Sequence, residues 1–137
     1  MPNWCYNTLT VSGEKEDVVR FRKENKEKDV NNKIKDVPLS FIKAIPYKGN
    51  WNHEWCIKNW GTKWDVSDVE TQLNEINDTD IQYNFNTAWV PPEKWFRFIV
   101  KKYPKLYFHL EYEEEGIGFS GEIIAENGEI VEEVYEE

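Results

Sequence analysis

Hydrophobic and polar positions alternate through "NWCYNTLTVSG", placing Trp4, Tyr6, Thr8 and Thr10 on one face of a strand and Cys5, Asn7, Leu9 and Val11 on the other. The alternation stops at Ser12-Gly13. In "EKEDVVRFRKENKEK" the period becomes helical, with Val18 and Phe21 forming a short apolar stripe and Lys and Glu lacing the outer face at i,i+4 spacing. Residues 29–50 are rich in Asn, Lys and Asp and contain Pro38, Pro46 and Gly49. They predict a long connection, flexible near Asn31 and Asn32, that carries an apolar anchor of Phe41, Ile42 and Ile45.

Strict alternation returns in "DIQYNFNTAW", where Ile81, Tyr83 and Phe85 face one way and Gln82, Asn84 and Asn86 the other. "PPEKWFRFIVKKYP" then places Phe96, Ile99, Val100 and Tyr103 on one helical face, with prolines at its start and Pro104 past its end. "KLYFHLEY" alternates again, turning Leu106, Phe108, Leu110 and Tyr112 inward and Tyr107, His109 and Glu111 outward. The stretch "IGFSGEIIAENGEIVEEVY" predicts a hairpin that turns at Asn127-Gly128, the pair a type I′ turn favours. The order β-α-insert-β-β-α-β plus a hairpin predicts an α+β, ferredoxin-like antiparallel sheet with two helices on one face. One domain would span residues 1–137, with a loop and short helix inserted after the first helix at 29–62 and the extra C-terminal β-hairpin at 117–135. The opening strand and "DIQYNFNTAW" would be central. The opposite face would carry Trp4, Tyr6, Gln82, Asn84, Tyr107 and His109, open unless the hairpin or a partner covers it.

Composition agrees with one packed domain, since 39% of the 137 residues are hydrophobic and 15% aromatic. No apolar run has membrane-spanning length and the first residues lack a signal-peptide pattern, so the expected location is the cytoplasm. Cys5 and Cys56 form no CxxC pair and are expected to be reduced thiols. Charge changes the picture more. The chain has 17 basic and 26 acidic residues, yet from Glu111 onward it has no Lys or Arg. This end should repel a phosphate backbone and attract a basic partner. Glu132, Glu133, Glu136 and Glu137 are the candidate partner-binding residues.

"NWGTKWD", residues 59–65, admits two readings. In one it is a corner: Asn52 caps a short helix, Gly61 ends it in the left-handed region, "TKWD" starts a strand, and Trp55, Ile57, Trp60 and Trp64 pin the helix to the domain. In the other, Trp60, Trp64 and Trp89 surround a ligand while Asn59, Lys63 and Asp65 orient it.

Catalytic and metal patterns are weak. His53 and Cys56 share a helical face, and Cys5 or His109 would have to complete a zinc site from a distance. A Cys56, His53 and Asp65 triad has no oxyanion hole or nucleophile elbow. "EYEEEG" lacks the spacing of a calcium loop and reads as an exposed strand end and turn. The expectation is therefore no enzyme, no metal and no cofactor. Trp4, Tyr6 and Tyr107 invite comparison with the base-stacking face of RNA-recognition domains, but neither their basic residues nor their aromatic motif is present.

In combination, "MPNWCYNTLTVSG", "NWGTKWD", "FNTAWVPP", "YPKLYF" and "YEEEGIGFSG" resemble the YubB-like ferredoxin-like domain family of phages and plasmids. The resemblance implies a ferredoxin-like fold and a mobile-element origin, and no activity. The functional expectation is a non-enzymatic accessory protein that engages a host or mobile-element protein through an acidic surface. The alternative is small-ligand or single-stranded nucleic-acid binding through the Trp-rich segment or the aromatic sheet face. No membrane partner is expected, and the open sheet face would provide any homo-oligomer contact.

Overall fold

A computed structural model describes residues 3–28, 36–46, 49–66 and 71–137. The chain order is β1 (Trp4–Ser12), α1 (Lys15–Asn25), the short β2 (Glu27–Lys28) and β3 (Asp36–Val37), α2 (Phe41–Ala44), α3 (His53–Asn59), β4 (Gln72–Glu75), β5 (Asp80–Ala88), α4 (Glu93–Lys102), β6 (Tyr107–Glu114), β7 (Phe119–Glu126) and β8 (Glu129–Glu136). Six strands form one antiparallel sheet in the order β4-β5-β1-β6-β7-β8, while β2 and β3 pair separately. β1 is central, as the ferredoxin-like element order predicted: Thr8 stands opposite Asn84 on one side and Glu111 on the other.

The inward-facing half of each alternating strand supplies the core. Leu9, Tyr83, Phe85, Phe108, Leu110 and Ile123 join Val18 and Phe21 of α1 and Trp95, Phe96, Ile99 and Val100 of α4 in one cluster. Phe21 is edge-on to Tyr83, Tyr103 and Phe108, with ring centroids at 6.0, 5.0 and 5.5 Å. Each buried apolar side chain contributes about 1.5–3 kcal/mol, so this face, rather than helix propensity, holds the short α1 and α4 in place. Asn127 and Gly128 have φ of 54° and 77°, the two positive values a type I′ turn requires between β7 and β8. No helix among the described residues is long and apolar enough to cross a membrane.

Three expectations are corrected. The first helix ends at Asn25 rather than continuing to Lys28: buried Asn25 turns its Nδ2 onto Phe21 O (2.8 Å) and Tyr103 Oη (3.2 Å), and Lys26 is already extended. "TKWD" does not start a strand, and the edge strand forms later at Gln72–Glu75. Residues 62–65 are fixed by bonds that Thr62 donates and the Asp65 carboxylate accepts instead of by a backbone ladder. Ile57 does not pin α3, because it is 40% exposed. The expected flexibility near Asn31 and Asn32 lies outside the described residues. The apolar anchor is Phe41, fully buried at the start of the one-turn α2, with Ile42 and Ile45 packed beside it.

Candidate functional site: the acidic face of the sheet

Asn52 caps α3, its Oδ1 accepting the Trp55 N–H at 3.0 Å. At the other end Gly61 has φ +87°, and a Cβ there would lie 3.0 Å from Lys94 N and 3.1 Å from Glu93 N. The close approach lets the Trp60 carbonyl accept the Trp95 N–H (3.2 Å), capping a free donor in the first turn of α4. Trp60 is 1% exposed, packs on Phe41 and Trp55, and donates Nε1–H to Ile45 O at 3.0 Å. The fully buried Thr62 donates its hydroxyl to Ala88 O at 3.0 Å.

Asp65 completes the corner. Its carboxylate accepts the N–H groups of Phe41 (2.7 Å), Ile42 (3.1 Å) and Val66 (2.8 Å) and the Ser40 hydroxyl (2.9 Å), so it caps α2 from across the chain. Burial pushes its carboxyl pKa upward, against the downward pull of these four bonds. Asn59 donates Nδ2–H to Trp55 O (2.9 Å). Of the six residues proposed to bind a ligand, Asn59, Trp60 and Asp65 thus have polar groups engaged within the fold, and the Trp60 ring is in the core. Lys63 places Nζ 4.5 Å from the Trp64 ring centroid, and Trp64 packs on Trp4 at 6.2 Å. Trp89 is different: it is 42% exposed with φ +72°, a conformation a bulky residue rarely adopts, fixed by its N–H to Asn3 O (2.8 Å).

Cys5 and Cys56 are buried, and burial pushes the Cys5 thiol up to about 12 and raises Cys56 as well. His53 is exposed and stacks on Trp51 at 6.1 Å. The considered set of His53, Cys56, Cys5 and His109 is not gathered. Among the described residues the metal-type group is instead His109, Glu111 and Glu122, with ligand atoms within 4.8 Å of one another. His109 Nε2 lies 2.9 Å from a Glu122 carboxylate oxygen, and Nδ1 lies 3.9 Å from Glu111.

These residues belong to the outward face of the sheet, where the register aligns carboxylates. Glu111 stands directly opposite Glu122, Glu113 opposite Ser120, and Ser120 opposite Glu136. Together with Tyr6 they line a concavity of about 520 Å³. No Lys or Arg occurs in any strand of the six-stranded sheet. Like charges directly opposite one another repel, so a cationic ligand would relieve the Glu111/Glu122 pairing.

The four terminal glutamates proposed from sequence divide between locations. Glu132 and Glu136 fall on the acidic side, whereas Glu133 faces the helices and accepts two bonds from Arg97 (2.8 and 3.0 Å). Glu137 accepts the Tyr135 hydroxyl at 3.0 Å. Glu114, within "EYEEEG", is buried rather than exposed, and its carboxylate accepts the N–H groups of Gly116 and Ile117 to hold the β6–β7 turn. Glu113 and Glu122 were not singled out from sequence, although the alternation in "YFHLEYEE" already turned Glu111 outward. Only the strand register reveals which carboxylates converge.

Comparison with curated proteins finds no match to the chain. Among solved structures, protein api92 from Yersinia pseudotuberculosis is similar, with a TM-score of 0.78 over 100% of this chain and 99% of that one at 8% identity, a likeness of fold alone. Residues 47–137 match the family model described as the ferredoxin-like domain in Api92-like protein. The ferredoxin-like architecture expected from element order is thus shown by an independent likeness of sequence and by a likeness of fold, and the chain belongs to the family of Api92-like proteins with a ferredoxin-like domain.

Proposed function

We propose that this protein is a non-enzymatic interaction module that holds a basic protein partner against the acidic face of its sheet. The observation that carries the reading is the convergence of Glu111, Glu113, Glu122 and Glu136 around one concavity of about 520 Å³, in a sheet whose strands contain no Lys or Arg and whose one histidine on this face, His109, lies beside Glu111 and Glu122. Tyr6, half exposed at its margin, adds an aromatic face suited to a guanidinium or ammonium group. The same charge opposes a phosphate backbone and a second copy of this face, so nucleic acid and face-to-face self-association are disfavoured. An accessory role in a phage, plasmid or other mobile element accords with the YubB-like resemblance and is part of the proposal. Helices packed on the other side of the sheet, with the cytoplasm as the working compartment, complete the reading.

The test is a chemical-shift titration of the isotope-labelled protein with a nona-arginine peptide. Shifts confined to the amides around Tyr6, Glu111, Glu122 and Glu136, weakening with salt, are expected. Shifts centred on the helices would refute the assignment.

A further inference from the structure

The free edge of β8 suggests how a partner is held. β8 pairs only with β7 among the described residues, so alternate N–H and C=O groups along Glu129–Glu136 point away from the sheet. On the acidic side of that edge stand Glu132 and Glu136, in register with Ile124 and Ser120. On the other side Tyr135 borders a second concavity, of about 530 Å³, shared with Ile57, Val90, Pro91 and Phe119. Its apolar walls are accessible: Tyr135 is 55% exposed, Ile57 40% and Val90 38%. Glu133 also reaches this groove, but its carboxylate is held by Arg97 at 2.8 Å.

Carboxylates on an edge strand protect against edge-to-edge aggregation. That role explains Glu132 and Glu136 but gives no reason for an apolar groove beneath the same edge. We propose that an extended partner segment with alternating basic and apolar residues adds to β8 as a seventh strand. The two-residue side-chain period would sort such a segment, turning its basic residues toward Glu132 and Glu136 and its apolar residues into the groove at Tyr135. A second β8 is a poor occupant, since it would set glutamate against glutamate. The inference rests on the acidic sheet being the partner site and narrows that site to one edge.

The test uses a peptide of about ten residues alternating Lys and Val, long enough to cover β8. Three comparisons accompany it: the peptide N-methylated on alternate residues, a Lys–Ser alternation, and the Glu132→Gln/Glu136→Gln protein. Strand addition predicts slowed amide exchange along β8, binding weakened about tenfold or more by N-methylation or by Ser, and about fivefold weaker binding to the Gln protein at low salt. An N-methylated peptide that binds equally well without protecting β8 would overturn strand addition and leave the acidic face standing. Equal affinity for the Lys–Ser peptide would overturn the role of the groove. Failure of the Lys–Val and nona-arginine peptides alike would remove the acidic face together with the edge.

Discussion

Replacement of Asp65 separates a corner of the fold from a ligand site. In Asp65→Ala, the N–H groups of Phe41, Ile42 and Val66 and the Ser40 hydroxyl all lose their acceptor. Loss of an N-cap costs about 1–2 kcal/mol, and each further polar group left in a partly buried site adds about 1 kcal/mol. The sum is about 3–4 kcal/mol, a large share of the 5–15 kcal/mol that stabilises an ordinary domain. Asp65→Asn keeps one acceptor oxygen but turns an NH2 group toward N–H donors, so it should lose about 2 kcal/mol. Urea unfolding followed by tryptophan fluorescence measures both, and α2 with its buried Phe41 should loosen first. An Asp65→Ala protein within about 0.5 kcal/mol of wild type would refute the reasoning, because surface substitutions stay in that range.

The other perturbations probe separate parts of the account. Gly61→Ala should lower stability by about 1–3 kcal/mol in the same assay, since the alanine would meet both a positive φ and the backbone of Glu93 and Lys94. Cys5 and Cys56 should stay unmodified by a thiol reagent at neutral pH until the protein unfolds, as both are buried with raised pKa values; rapid labelling of the native protein would contradict this. Asp80, whose carboxyl pKa is lowered chiefly by the Ser12 hydroxyl at 2.6 Å, contributes stability that is present above its ordinary value of 3.8 and is lost as pH falls through its lower folded-state value. Melting temperatures of wild type and Asp80→Asn should therefore differ at neutral pH and converge in acid.

What the sequence made legible was local. The alternation in β1, β5 and β6, the apolar face of α4 and the Asn127-Gly128 turn each act over a few residues, and each formed where expected. Asn52 and Gly61 likewise carried their capping roles in their residue types. Asp65 did not, because a carboxylate at the end of "NWGTKWD" looks the same whether it faces a ligand or the backbone of Phe41, more than twenty residues away in sequence. Trp60 was equally ambiguous, since burial rather than composition separates a core indole from a pocket wall. The acidic face needed long-range register: Glu111 and Glu122 belong to different strands, and only their pairing makes them neighbours. The end of α1 depended on Asn25 meeting Tyr103 from a distant segment.

The central claim, that the acidic sheet face is the partner site, is tested most directly by association kinetics. A labelled nona-arginine peptide would be mixed with wild type, with Glu111→Gln/Glu122→Gln/Glu136→Gln, and with a control of equal charge, Glu14→Gln/Glu16→Gln/Glu54→Gln, whose substitutions lie on exposed helix starts. The account predicts that at low salt the sheet-face variant associates about tenfold more slowly than wild type while the control stays close to it, and that the gap closes near 0.5 M salt, where charges are screened beyond about 4 Å. Equal rates for the two variants at low salt would contradict it, because only net charge, and not the sheet face, would then be guiding the partner.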